Sequence, residues 1–139
     1  MKLGLQQLKN YDFHDGYLID IKHDHDRIEL SLESSQIDCE DFKNIFLLSD
    51  HGTLKGKLHF VGVQKITQEG IHHHEKLRKQ EDEGDLFSID FFDNKVSFVI
   101  NWLPYSSKPD RQNSWISYEI EAEQIYWENI PNLPNPYWK

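Results

Sequence analysis

This 139-residue chain is small, acidic and aromatic-rich, and its composition excludes several classes of function. Its 24 acidic against 15 basic residues give a formal net charge of -9, which argues against nucleic acid as a partner because phosphate binding needs a basic surface. No stretch approaches the roughly 18 apolar residues of a membrane span, and the first residues lack the apolar region of a secretory signal. We therefore expect a cytoplasmic protein that contacts neither nucleic acid nor membrane.

The length is typical of one domain, and no linker rich in Pro, Ser or Gly divides the chain. We expect a single domain over residues 1–139, with a lead-in over 1–12, a β core over 13–130 and an extended tail over 131–139. Prolines in the tail exclude both a helix and a strand ladder there, so the tail should be extended, and its aromatic side chains are expected to cover an edge or a seam of the sheet.

The first clear signal is a pair of alternating segments. Tyr17, Ile19 and Ile21 alternate with polar or opposite-facing neighbours, and the alternation resumes at Ile28 after a polar turn. Because side chains of a strand point to alternate faces, this pattern predicts two half-buried strands joined by a tight turn. The stretch from Phe42 to Leu48 fits either a strand or one or two helical turns.

Further strands follow along the chain. One runs through Leu58 with a bulge near Gly62, a hairpin covers 86–92 and 96–102 around an Asp-Asn turn, and a last clear strand covers 116–120. Between Ile71 and Asp85 the chain is polar, and it is expected to be an exposed helix or a mobile loop that only Ile71 and Leu77 could anchor.

Six or seven strands with hairpin spacing predict a mainly β protein. The expected architecture is an antiparallel sheet folded as a sandwich or partly open barrel, with one or two short helices. The side chains expected to face its core are Ile19, Ile21, Ile28, Leu30, Leu32, Leu58, Phe60, Phe98, Ile100, Ile116, Tyr118 and Ile120.

The stretch Phe13-His14-Asp15-Gly16 is the main candidate site. A carboxylate can orient a histidine general base, although adjacent residues on an extended chain point to opposite faces. In the structural interpretation, Asp15 caps the turn, Gly16 supplies a special backbone geometry and His14 bonds a main-chain carbonyl. His14 and Asp15 are the candidate binding residues, and no catalytic residue is assigned.

Two histidine tracts have the residue types of metal ligands. His23-Asp24-His25-Asp26 is also what a polar hairpin turn requires, and His72-His73-His74 lacks the spacing of a zinc-binding helix. The single cysteine, Cys39, lies among acidic residues that disfavour a thiolate. We expect no metal and no cofactor.

The chain has the Phe13–Gly16 motif before an alternating strand, then Leu58–Val63, a late strand ending in Trp102 and the closing Tyr118–Ala122. In this layout it resembles small bacterial proteins that open with a Phe-His-Asp motif. Some of those proteins look like immunity proteins encoded beside polymorphic toxins. The resemblance implies a protein that acts by binding and blocking a toxin, without catalysis.

Two functions therefore stand beside each other. The first is a non-enzymatic binding protein, of the immunity-protein kind, that engages another protein through an acidic surface. The alternative is a small hydrolase or metal-dependent enzyme that uses His14 and Asp15, with His23 or His59 as further candidates. A concave pocket in which these side chains converge would favour the enzyme. The oligomeric state is left open by the sequence.

Overall fold

The protein folds as an antiparallel β-barrel. A computed structural model of the chain describes residues 2–3, 13, 15–35, 48–79, 83–103 and 114–135. The strands, in chain order, are β1 (Lys2–Leu3), β2 (Gly16–Asp24), β3 (Arg27–Glu33), β4 (Lys55–Gln68), β5 (Ile71–His72), β6 (Glu83–Phe91), β7 (Lys95–Leu103) and β8 (Ser114–Asn129).

The ring closes between β4 and β8. The strand order is β1-β8-β7-β6-β2-β3-β4-β5, and a further β4–β8 pairing joins six of these strands into a closed ring, with every pairing antiparallel. The short strands β1 and β5 add to β8 and β4. The antiparallel β class is confirmed, and the sheet closes as a six-stranded barrel and not as a sandwich. The residues that the structure describes contain no helix, so the expected short helices are absent from them.

Strand β8 closes the barrel by pairing with two strands. Its first half, Ser114–Glu121, pairs with β7, and the part from Tyr118 to Asn129 pairs with β4. The alternation in the sequence marks this strand only to about Ala122, where the spacing of inward residues changes. The strand nevertheless continues through the fully buried Trp127.

Most of the predicted core residues belong to the core of the barrel. Ile21 and Ile116 are partly buried and pack against it, and Ile19 is buried but lies outside the core cluster. The largest buried side chains are aromatic, as the composition suggests, and they include Phe13, Trp102 and Trp127. The core is therefore built from the apolar faces of all six ring strands.

A β-bulge changes which side chains of β2 face inward. The register with β3 shifts between Leu18 and Asp20, so Ile19 is an extra residue. Leu18 and Ile21 consequently both oppose inward-facing leucines of β3, and Leu18 is fully buried. The expectation that Tyr17, Ile19 and Ile21 share one face is wrong, because strict alternation takes no account of an inserted residue.

Residues 73–79, which we call the strap, follow β5 without forming a helix. Most of its side chains are exposed, as expected for so polar a segment. Leu77 is only 3% exposed and anchors the strap, whereas the other expected anchor, Ile71, is 72% exposed. The helical alternative is wrong for this part of the chain, and residues 80–82 lie outside the described part.

Gly56 lies on the seam where β4 pairs with β8. A Cβ atom there would overlap the main-chain carbonyl oxygen of Glu128 and would lie 2.9 Å from Cζ2 of Trp127. We expect Gly56→Ala to lower the free energy of unfolding by about 1–3 kcal/mol, because β4 would have to move away from β8. Gly70→Asn is the control, since no atom lies within 4 Å of that position and Asn tolerates its positive φ. Equal urea midpoints for the two variants would contradict this account of the seam.

Candidate binding surface

The Phe13–Gly16 motif contributes a core anchor and a turn. Phe13 is 1% exposed, and its ring packs edge-on against Phe91 at 6.3 Å and against Trp127 at 5.6 Å between centroids. Asp15 is exposed in the turn before β2, with φ of 62°. His14 lies outside the described residues. The binding role of His14 and Asp15 stays a prediction.

A glycine is required at position 16 because there is no room for a side chain, and not because the backbone there has a positive φ. Among the described residues of this turn, Asp15 has the positive φ, so the expected special backbone geometry belongs to the aspartate and not to Gly16. The Gly16 amide donates to the carbonyl oxygen of Phe13 at 3.0 Å. A Cβ at Gly16 would overlap the main-chain oxygen of Glu33 and would lie 2.9 Å from the oxygen of Phe13. The motif therefore positions the start of β2 close against β3.

The two histidines considered for an enzyme lie on opposite faces of the sheet. His23 pairs with Ile28, and Ile28 pairs with Phe60, so these three residues share one face. His59 immediately precedes Phe60 and therefore faces the other side. His23 and His59 do not converge in one pocket.

His59 connects three strands on the outside of the barrel. Its Nε2 lies 2.8 Å from Oε1 of Glu128 on β8, and its Nδ1 lies 3.7 Å from Oε1 of Glu29 on β3. The imidazole also stacks on Tyr126, with centroids 4.7 Å apart and planes 12° apart. Both ring nitrogens lie near carboxylates, so His59 links β4 to β8 on one side and to β3 on the other.

The two histidine tracts lie at the turn between β2 and β3 and at the junction of β5 with the strap. The rings of His72 and His74 lie 4.2 Å apart, and His25 is exposed beside Asp24. Within the described ranges, no group of three or more His, Cys, Asp or Glu side chains is arranged to hold a metal ion. Cys39 lies outside those ranges.

An exposed aromatic pair stands out on the outer face of β6 and β8. Phe87 and Trp115 are 43% and 54% exposed, and their rings meet edge to face with centroids 5.1 Å apart. Phe87 is the extra residue of a bulge, because the register of β6 with β7 shifts between Leu86 and Ser88. Neither residue is among the candidate site residues predicted from the sequence. The signal available for Phe87 was two adjacent apolar residues, Leu86 and Phe87, inside an alternating strand.

A polar groove of about 310 Å³ adjoins this pair on the same strands. Ser88 follows Phe87 directly, and Ser117 lies two residues beyond Trp115. The groove is lined by Thr67, Gly70, Ser88, Asp90, Ser97, Phe98, Val99, Ser117, Tyr118 and Glu119. We call the surface formed by Phe87, Trp115, Asp90 and Glu119 the acidic face.

The walls of the groove are fixed by hydrogen bonds. The turn after β4 is fastened to β8 because the Glu69 amide donates to the Ser117 carbonyl oxygen at 2.9 Å, and the Glu69 carboxylate accepts from the Ser117 amide. On β8, Oε1 of Glu119 accepts from the Ser97 hydroxyl at 3.1 Å and lies 3.5 Å from Nζ of Lys95. The groove is therefore lined by the Asp90 and Glu119 carboxylates, and Lys95 offsets part of the Glu119 charge.

Tyr118 forms part of the groove floor as a neutral group. Burial raises the pKa of its hydroxyl above the ordinary value of 10.0, a hydrogen bond from Trp102 opposes this, and the nearby Glu69 charge adds to the rise. The indole Nε1 of Trp102 donates to that hydroxyl oxygen at 3.0 Å. The Tyr118 side chain is thus held in place by the bond from Trp102, and its hydroxyl stays protonated near neutral pH and is not a general base there.

Comparison of the chain with protein families, with curated proteins and with solved structures found no match. The resemblance based on the Phe-His-Asp motif therefore stays a prediction. In the part of the chain that the structure describes, no helix has the length and apolar character needed to cross a membrane.

Proposed function

We propose that this chain is a non-enzymatic, cytoplasmic binding protein that engages a basic protein through the acidic face. The observation that carries the proposal is the exposed pair Phe87 and Trp115 beside a preformed polar groove. Aromatic side chains contribute most of the binding energy in many protein interfaces, and an interface typically surrounds them with polar groups. The acidic face has both features.

The charge of the chain supports a basic partner. Asp90 and Glu119 line the groove, and the whole chain carries a formal net charge of -9. Acidic surfaces of this kind accelerate association with a positively charged partner, and salt weakens the effect. We therefore expect the association rate to fall as the ionic strength rises.

The chain resembles small bacterial proteins that open with a Phe-His-Asp motif, some of which look like immunity proteins, and this resemblance supports a toxin as that partner. Such a protein needs a preformed surface that blocks its target, and it needs no catalytic residues of its own. A rigid barrel that carries an aromatic pair suits this role, because little conformational entropy is lost when the surface binds.

The test uses the proteins encoded by the genes on either side of this one. Each is co-purified with the full chain, and the dissociation constant of any complex is measured with purified components. Because Trp115 is expected to be an interface hot spot, Trp115→Ala should weaken binding by about 30-fold or more. Phe87→Ala should weaken binding in the same direction, since it removes the ring that supports the indole.

Tyr126→Ala is the matched control. Tyr126 is another aromatic residue of β8, but it lies eleven positions beyond Trp115, about 35 Å at roughly 3.3 Å per residue. Its removal should leave the dissociation constant close to the wild-type value. The proposal is overturned if neither neighbouring gene product binds, or if Trp115→Ala and Tyr126→Ala bind alike.

A further inference from the structure

The strap lies along a part of β2 that has no strand beside it on the β6 side. Pairing with β6 covers only Gly16–Leu18 of β2. Beyond that point the strap contacts the strand: Nζ of Lys79 donates to the carbonyl oxygen of Ile19 at 3.3 Å, and the amide of Leu77 donates to Nδ1 of His23 at 2.9 Å. The Leu77 side chain belongs to the buried core cluster. The strap is thus held to β2 by one side-chain contact of Lys79 and one of His23.

His23 can make its two contacts only as a neutral imidazole. Its Nδ1 accepts a hydrogen bond from the Leu77 amide, so this nitrogen carries no proton. Its Nε2 lies 3.1 Å from the carbonyl oxygen of His25, so this nitrogen carries the hydrogen. A proton added at Nδ1 would set two N–H groups against each other and would break the bond to Leu77.

We propose that the strap is a proton-sensitive latch, in which protonation of His23 releases residues 73–79 and uncovers Leu77 and the carbonyl oxygen of Ile19. Release exposes an apolar side chain of the core and a main-chain acceptor on the part of β2 that does not pair with β6. The latch is independent of the acidic face, which lies on other strands.

The groups around His23 favour its neutral form. Burial is the largest cause and lowers its pKa, and positive charges at Lys76 and His73 on the strap lower it further. The bond to the His25 carbonyl and the charge of Asp24 act in the opposite direction. From β3, the residue facing His23 is the apolar Ile28.

The direction of the pH effect follows from this shift. The pKa of His23 in the closed state lies below its ordinary value of 6.5, so the released state binds a proton more readily. The closed latch is therefore most stable at pH values above the ordinary histidine pKa of 6.5, and its stability decreases as the pH falls through 6.5. This decrease stops once the pH is below the lowered pKa of His23, because His23 is then protonated in both the closed and the released state.

Amide hydrogen exchange of the full chain tests the latch. The protection factor of the Leu77 amide is measured by NMR from about pH 8 to about pH 5, the range in which histidine titrates. We expect protection to fall by up to about tenfold for each pH unit below the ordinary pKa, the limit for one proton. Amides in the middle of β3 should keep their protection, since the barrel itself stays folded.

Two variants separate His23 from other titrating groups. His23→Asn places an amide oxygen where Nδ1 lies, so the side chain can still accept a hydrogen bond from the Leu77 amide but cannot be protonated. In this variant the protection factor of the Leu77 amide should not depend on pH. His25→Asn should respond like the wild type, because His25 is exposed and Asn tolerates its φ of 53°. The latch is refuted if wild-type protection is independent of pH, or if it falls equally in His23→Asn.

The histidine resonances give a readout that does not depend on a variant. In the wild type, His23 should titrate below its ordinary value of 6.5 and should keep its hydrogen on Nε2 while neutral. A neutral ring with its hydrogen on Nδ1, or a pKa above that value, would overturn the proposal.

Discussion

Glu33→Ala is expected to lower the free energy of unfolding by about 3–5 kcal/mol, the loss typical of breaking a buried ion pair. Glu33 is at the end of β3 and is 0% exposed. Its Oε2 accepts from the Thr53 hydroxyl and its Oε1 accepts from the Asn135 amide, both at 2.6 Å. Nζ of Lys55 lies 3.8 Å from Oε1, and that side chain is 7% exposed. Without the carboxylate, the Lys55 charge would be left buried without its counter-ion.

Urea denaturation of Glu33→Ala and Glu29→Ala measures this effect. Glu29 also lies on β3 and pairs with Lys57 at 3.6 Å, but its side chain is 34% exposed. We expect Glu29→Ala to cost only about 0–1 kcal/mol, since exposed ion pairs contribute little. Similar losses in the two variants would show that the buried network does not hold the segments around Thr53 and Asn135 to the barrel.

Trp127→Ala is expected to cost about 3–5 kcal/mol, because it removes one of the largest side chains of the core and leaves a cavity. Trp127 is 0% exposed and lies opposite Leu58 across the β4–β8 seam. Its ring packs against Phe13, and its Nε1 donates to Oδ1 of Asn129 at 3.2 Å. The residue thus joins the entry of β2, the seam and the end of β8.

Trp115→Ala provides the matched comparison for this experiment. Both substitutions remove an indole from β8, but Trp115 is 54% exposed, so its loss should change stability by no more than about 0.5 kcal/mol. A large loss in Trp115→Ala would mean that this ring stabilises the barrel and would weaken its assignment to the acidic face. Equal losses in the two variants would contradict the assignment of Trp127 to the core.

Alternation alone predicts most of the barrel wall. The leucines of β3 and the residues around Phe98 and Tyr118 face inward as expected, since the geometry of a strand fixes a period of two. Bulges at Ile19 and Phe87 could not be predicted in this way, because a bulge depends on how two separate strands pair. Each one moves an apolar side chain to a face that simple alternation does not give it.

Polar burial and exposed aromatics were harder to predict. Glu33 has the sequence position of an outward, solvated residue, yet distant segments cover it, and the described part of the tail reaches it through Asn135 and not through an aromatic ring. Phe87 looks like a core residue in composition, and the register shift beside it places it outside. Trp115 precedes the inward-facing Ile116, so alternation gives it an outward position, but nothing in the sequence indicates its contact with Phe87. Of the predicted site, Asp15 is seen in an exposed turn, and the function of that turn stays a prediction.

The seam between β4 and β8 has a consequence for the order in which the protein folds. It joins Gly56 to Asn129 at one end and Gln68 to Tyr118 at the other, so its contacts span long stretches of chain. As the chain leaves the ribosome, β2, β3 and β4 can form successive hairpins, but β4 has no partner for its second edge until β8 has been synthesised. Contacts so distant in sequence slow folding, and the nascent chain exposes an unpaired edge during that interval. Barrel closure is therefore a late step that depends on synthesis of the last strand.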